Sequence, residues 1–155
     1  MKVEFWLIGK TKDPWVIEAL EHYRKRCSHY CTFTSDVIPE SRLTRGDDIR
    51  TEESGRLLTR LAKQPAGIVV LLDEKGKPLS SKAFAGLLSK WQTAGHSTFR
   101  FIIGGAYGID DTVREQADFI LSLSPMTFPH QLVRIIFMEQ LYRAFTILRG
   151  EGYHH

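Results

Sequence analysis

The last part of the chain, EQLYRAFTILRGEGYHH from Glu139, gathers side chains whose chemistry suits a nucleotide. Arg143 and Arg149 offer phosphate contacts, Tyr153 a ring that stacks on a base, and His154 or His155 a group that titrates near neutrality. Glu139 stands four residues before Arg143, the spacing of a helical ion pair. As a plain surface pair it would add only about 0.2–0.5 kcal/mol. A second grouping is Gly104-Gly105-Ala106-Tyr107-Gly108. Glycines there permit positive φ and let a ligand come close to the backbone, although GGxxG is not the full dinucleotide fingerprint and a simple tight turn fits it too.

Other chemistries find no support. There is no Walker-type lysine-serine motif, no G-x-S-x-G elbow and no HExxH. Cys27, His29 and Cys31, with His22 nearby, invite a metal reading. Zinc sites usually repeat the cysteine pair later in the chain, and none follows, so two reduced, inert thiols in a cytoplasmic protein is the preferred reading and no metal is expected. His130, directly after Pro129, reads as a helix-capping residue rather than a catalytic one.

Elements that could position these groups follow from the apolar pattern. Val3–Ile8 is a β-rich run closed by Gly9. Asp13-Pro14 then supplies an N-cap and first-turn proline for a helix through Trp15, Ile17, Leu20 and Tyr23. A strand over Thr32–Ile38 leads through a basic surface loop, Arg42 to Arg50, into a helix over Asp48–Leu61. Gly67–Leu72 reads as a strand buried on both faces, ending at Asp73 and the turn EKGKP. Ser80 or Ser81 caps a helix ending near Trp91. Thr98–Ile103 is a strand followed at once by the glycine stretch and a helix opened by Asp110 or Asp111. Phe119–Leu123 is the last strand, and a helix runs over His130–Leu148 with Leu132, Ile135, Ile136, Leu141 and Phe145 at helical spacing. Strands alternating with helices predict a single α/β domain with a mostly parallel sheet. In such sheets ligands bind at the carboxyl ends of the strands. That selects three loops, Leu72-Asp73-Glu74, Gly104 to Gly108 and Leu123 to His130. They would form a crevice for a nucleoside-bearing cofactor, with apolar contacts from Leu72, Leu123, Met126 and Phe128.

Composition agrees with this picture. The 155 residues are 43% hydrophobic and 25% charged, as in an ordinary globular chain. No run approaches the roughly 18 unbroken apolar residues of a membrane span. The net charge of +3 is compatible with a polyanionic partner without requiring one.

Four segments together carry a resemblance: KVEFWLIGK at the start, VLLDEKGKPLSS at 70–81, FIIGGAYGI at 101–109, and LSLSPMTFPHQLVRIIFMEQLYRAFTILRGEGYHH at 121–155. In these the chain resembles the RlmH family, the ribosomal large-subunit pseudouridine N3-methyltransferases, over its whole length. The resemblance implies a SPOUT-type α/β fold with a C-terminal trefoil knot, a homodimer, and S-adenosylmethionine as cofactor. Carried over by motif, the cofactor contacts are Leu72, Gly104, Leu123, Ser124, Pro125, Met126, Thr127 and Phe128, with Pro125 contributing backbone. The implied partner is 23S rRNA in the assembled ribosome, at a pseudouridine of the helix 69 loop. On that expectation the catalytic group is His154 as the base or its orienter, Tyr153 on the target base, Arg143 on a phosphate, and Glu139 orienting Arg143. Arg42, Arg45 and Arg50 form a second candidate contact, or merely a solvated loop. A ribosome-binding module without transfer activity and a SPOUT enzyme acting on transfer RNA are the competing readings.

Overall fold

The computed structural model describes residues 1–154, and His155 lies outside them. Five strands, β1 (Lys2–Ile8), β2 (Thr32–Ile38), β3 (Ile68–Pro78), β4 (Thr98–Ile103) and β5 (Phe119–Ser122), form one sheet in the order β2-β1-β4-β3-β5. Every pairing is parallel. Five helices connect and follow them: α1 (Pro14–Cys27), α2 (Gly46–Leu61), α3 (Ser81–Thr93), α4 (Asp111–Arg114) and α5 (His130–Arg149).

Both faces of the middle of the sheet are covered, so β1, β4 and the first half of β3 are apolar at nearly every position, while the edge strand β2 is largely polar and exposed. Alternate residues divide between two cores. Val3, Phe5, Leu7, Val70, Phe99, Phe101 and Ile103 meet Phe84 and Leu88 of α3 and Phe137, Leu141 and Phe145 of α5. Trp6, Ile8, Val69, Leu71 and Ile102 meet Leu57 of α2 and Val113 of α4 on the other side. Phe137 anchors α5, with ring centroids 4.7 Å from Phe101 and 5.3 Å from Phe5. α1 runs through Trp15, Ile17, Leu20 and Tyr23 as expected, but carries fewer buried side chains, and Trp15 and Ile17 are 60% and 48% exposed.

Besides shifts of one or two residues at several other ends, three features differ from those read in the sequence. α2 begins at Gly46, two residues before the expected start, so the expected loop of Arg42 to Arg50 ends at Arg45, and Arg50 lies in the helix. The segment EKGKP is strand rather than turn. β3 pairs with β5 up to Leu72, breaks register, and pairs again from Lys77. Gly76 is required there, because a Cβ would stand 2.7 Å from the carbonyl oxygen of Ile120. Pro129 rather than His130 occupies the N-cap of α5, since proline tolerates the missing amide at a helix start. Ser80 does cap α3 as expected, accepting a 3.1 Å hydrogen bond from the amide of Ala83. No helix among the described residues is long and apolar enough to cross a membrane.

Candidate functional site: a cofactor cavity and a separate C-terminal cluster

The carboxyl ends of β3, β4 and β5 open into a cavity of about 780 Å³, within the usual size range of small-molecule sites. Its apolar wall is Leu72, Ile103, Leu121, Leu123, Phe128 and Val133, and its backbone wall is the turn from Gly104 to Ile109. The three expected loops all contribute. Of the eight expected cofactor residues, Leu72, Gly104, Leu123, Ser124, Met126, Thr127 and Phe128 line the cavity, whereas Pro125 is exposed and does not. Met126 is 71% exposed at the rim.

Local hydrogen bonds shape the walls. Ser124 Oγ accepts from the amide of Met126 at 3.0 Å, and the Ser122 hydroxyl donates to the carbonyl of Ser124 at 2.9 Å. Thr127 donates to Glu74 at 2.6 Å, joining the loop after β5 to the one inside β3. Arg114 of α4 pairs with Asp73 at 2.5 Å, a contact no spacing in the sequence announced. The three glycines of the turn do different work from that expected. Only Gly108 has positive φ, +76°, and a Cβ there would meet nothing within 4 Å, leaving its backbone open to approach. Gly104 and Gly105 are needed for packing instead, because a Cβ would press on Ile109 at 2.7 Å and on Glu53 at 2.6 Å.

His130 also lines the cavity. Burial, then the neighbouring Arg134, pushes its pKa below the ordinary histidine value, so the ring is neutral at neutral pH. Arg134 is itself fully buried, donating to the carbonyl of Ile8 at 2.6 Å and to Thr11 Oγ1 at 2.9 Å, and burial lowers its pKa to about 10.

The expected catalytic residues gather elsewhere. Glu139 Oε1 accepts from Arg143 Nε at 2.9 Å, from Nη2 at 2.6 Å and from the Tyr153 hydroxyl at 3.2 Å. The Arg143 guanidinium lies 4.7 Å over the Tyr153 ring, and Tyr142 meets that ring edge-on at 4.8 Å. Glu139 thus orients both neighbours, which leaves its carboxylate engaged. Burial and hydrogen bonds to Tyr23 and Glu139 push the Tyr153 pKa up to about 12, so the phenol stays protonated. His154 Nδ1 is buried without a hydrogen-bond partner. A latch holds this tail: Tyr30 donates to Glu151 at 2.5 Å while Arg149 lies 5.2 Å over the Tyr30 ring. None of Glu139, Arg143, Tyr153 and His154 lines the cavity. Arg143 stands ten residues beyond Val133 on one helix, about 15 Å along its axis.

Cys27 and Cys31 are buried, with burial raising their pKa values to about 12 and about 11, so both are thiols at neutral pH. Among the described residues no three His, Cys, Asp or Glu side chains are grouped so as to hold a metal.

The cavity fits S-adenosylmethionine in its chemistry. Apolar walls and an open backbone suit an adenine and its ribose, and a lining with both carboxylates (Asp73, Glu74) and cations (Arg50, Lys75, Arg114) suits a ligand that carries both signs of charge.

Comparison with known proteins gives this arrangement a family. A family model described as "Predicted SPOUT methyltransferase" matches residues 1–154. Relatives called ribosomal RNA large subunit methyltransferase H are similar end to end. The one from Parabacteroides distasonis is 41% identical over all of this chain and 99% of its own length. The one from Porphyromonas gingivalis is 42% identical at the same coverage, and the one from Trichlorobacter lovleyi 40% identical over the whole of both chains. Among solved structures, a probable methyltransferase from Bordetella pertussis superposes with a TM-score of 0.58 at 14% identity, over 92% of this chain and 93% of that one. A probable methylase family protein from Haemophilus influenzae gives 0.54 at 11% identity, over 96% of this chain and 66% of that one. Those likenesses concern the fold, while identity near 40% along the full chain is a closer tie. A parallel sheet ending in a glycine-bounded cavity, matched over its whole length, places this chain in the SPOUT methyltransferases, within the ribosomal RNA large subunit methyltransferase H family.

Proposed function

We propose that this chain methylates N3 of a pseudouridine in the helix 69 loop of 23S rRNA, on the assembled ribosome in the cytoplasm, using S-adenosylmethionine. The carrying observation is the cavity at the ends of β3, β4 and β5, in a chain about 40% identical throughout to large-subunit rRNA methyltransferases. When bound, S-adenosylmethionine supplies an electrophilic methyl group on a sulfonium centre.

The chain's own residues divide the remaining work. Leu72, Leu123 and Phe128 pack the apolar part of the cofactor, and the backbone from Gly104 to Gly108 meets its polar edge. Glu74, the lining carboxylate without an ion pair of its own among the described residues, is the group to face its positive charge. Transfer to N3 needs in-line alignment and a place for the N3 proton. Tyr153, as a neutral phenol, stacks on or hydrogen-bonds the target base, Arg143 holds a neighbouring phosphate, and Glu139 keeps both in register. His154 takes or directs the proton. Arg42 and Arg45 of the basic loop add further phosphate contacts.

Because the cavity and this cluster are apart within one chain, the proposal includes a homodimer in which the tail of one protomer completes the cavity of the other. Trp15 and Ile17 on α1 and Leu148 on α5, all exposed, support an apolar contact surface for a second copy. The trefoil threading implied by the family belongs to the same proposal.

The test is transfer of labelled methyl from S-adenosylmethionine to assembled ribosomes, separated subunits and free 23S rRNA from a strain lacking the gene, with the modified nucleotide mapped. Label at N3 of that pseudouridine, dependent on assembly, is the expected result. Cofactor binding without label on any rRNA overturns it, and label on transfer RNA instead reassigns the substrate.

A further inference from the structure

Four charged side chains are buried among the described residues: Glu4, Glu53, Arg100 and Arg134. Glu4 and Arg100 pair at 2.6 Å, and Arg134 donates to two oxygens. Glu53 is different. It is 4% exposed, its Oε1 accepts one hydrogen bond, from the amide of Ser41 at 2.9 Å, and its Oε2 is buried without a partner. No cation comes within ion-pair distance of it among the described residues, since its neighbour Arg56 is spent on Glu52. Burial raises its pKa; the Ser41 amide and Arg56 oppose the rise, and the charges of Glu40 and Glu52 add to it. An isolated carboxylate in such a place is destabilising, so the fold bears a cost for keeping it.

The free oxygen faces the turn of the cofactor cavity. A Cβ on Gly105 would stand 2.6 Å from Glu53 Oε2. Gly105 is also the residue whose carbonyl accepts the amide of Gly108 at 3.1 Å to close the turn. On either side α2 grips the same segment. The hydroxyl of Ser54 accepts the amide of Asp110 at 3.0 Å, and the Tyr107 ring packs so closely on Gly46 that a Cβ there would be 2.7 Å from it. Glu53 is the middle of three contacts, and its other oxygen holds Ser41, at the root of the loop that carries Arg42 and Arg45.

We propose that Glu53 is a positioning residue of the cofactor cavity, a buried carboxylate that links Ser41 of the basic loop to Gly105 of the cofactor turn and so sets the backbone the cofactor meets. Glu53 does not line the cavity and acts only through Gly105. The inference rests on the proposed function only in taking S-adenosylmethionine as the ligand.

A residue kept for position at a cost in stability has an unusual signature: replacing it moves stability and affinity in opposite directions. Glu53→Met keeps much of the volume and removes the charge. Its thermal midpoint is expected to rise, while S-adenosylmethionine affinity measured by calorimetry falls about tenfold and KM for the cofactor rises more than kcat falls. Glu53→Gln, which still accepts from Ser41, recovers most of the affinity. Gly105→Ala displaces the carboxylate without removing it and gives a loss like that of Glu53→Met. Unchanged affinity in Glu53→Met or Gly105→Ala overturns the assignment, as does a loss of affinity that merely follows a fall in thermal midpoint. If the unaltered protein does not bind S-adenosylmethionine, the reading of the cavity itself is wrong and the assignment falls with it.

Discussion

Mixing two inactive variants gives the sharpest test of a site shared between protomers. Leu123→Arg places a cation in the apolar wall of the cavity, where it repels a sulfonium ligand. Tyr153→Ala removes the ring over which Arg143 lies. Each homodimer is expected to be nearly inactive. Methyl transfer demands reacting atoms within about 3–3.5 Å, whereas Arg143 lies about 15 Å along α5 from Val133, the last residue of that helix in the cavity wall. No movement of the five-residue tail after Gly150 shifts Arg143, because α5 is pinned by Phe137, Leu141 and Phe145 in the core. If each site takes its cavity from one chain and its tail from the other, a mixed dimer contains one site with both defects and one intact. Random exchange makes about half the dimers mixed, so about a quarter of the unaltered activity returns. The assay is labelled methyl transfer to ribosomes before and after exchange in mild denaturant, with mixed dimers counted by native mass spectrometry. Mixed dimers as inactive as their parents would refute the shared site.

Other expectations follow from single contacts. Gly108→Ala meets no steric obstacle, so its cost is conformational, about 1–2 kcal/mol for a positive φ. Gly104→Ala presses on Ile109, costs about 1–3 kcal/mol by overpacking, and is relieved in part by Ile109→Ala, all measurable by urea unfolding. Glu4→Gln leaves Arg100 buried without its counter-charge and costs about 3–5 kcal/mol at neutral pH. Burial alone would raise the Glu4 pKa, but hydrogen bonds from Lys2 and Arg100 outweigh it and lower it below 4.5. The stability from Glu4 is therefore present above that value and lost as pH falls through the lower, folded value, so the difference from Glu4→Gln must shrink in acid. Tyr30→Phe removes the hydrogen bond to Glu151 at a cost to stability of about 1 kcal/mol or less, yet loosens the tail. Reduced transfer to ribosomes with unchanged cofactor affinity is its expected result.

The alternation of strand and helix was legible because the central strands are buried on both faces and each helix on one, and those patterns have different periods. β4 has the boundaries read from the sequence for that reason, and β2, an exposed edge strand, has them from its β-rich composition. The strand character of EKGKP was not legible. Charged and glycine residues there signal a turn, and only the edge of β5 beside them supplies the pairing that holds them extended. The cavity was legible as three loops, since a parallel sheet directs all its carboxyl ends one way. The roles of its glycines were not: Gly104 and Gly105 answer to Ile109 and Glu53, neighbours that only the folded chain brings near. Glu139 with Arg143 could be read from spacing, but Tyr153 joining them depends on the turn of the chain after Gly150, whose φ of +67° ends α5. Glu53 gave no signal, since glutamate in a helix of charged residues looks like surface.

The order of the strands also has a consequence for how the molecule is made. β1 lies between β2 and β4, and its register couples Lys2 to Thr98. An emerging chain can pair β1 with β2 early, but the other edge of β1 must wait until some hundred residues have been synthesised. Even then the face carrying Phe5 and Phe101 has only α3 to cover Phe101 until Phe137 of α5 is added. Contacts so distant in sequence make for slow folding and a long exposure of apolar surface to chaperones. A chain ended prematurely before α5 would lose the lid of its larger core as well as its C-terminal cluster, and would be a substrate for proteolysis rather than a slower enzyme.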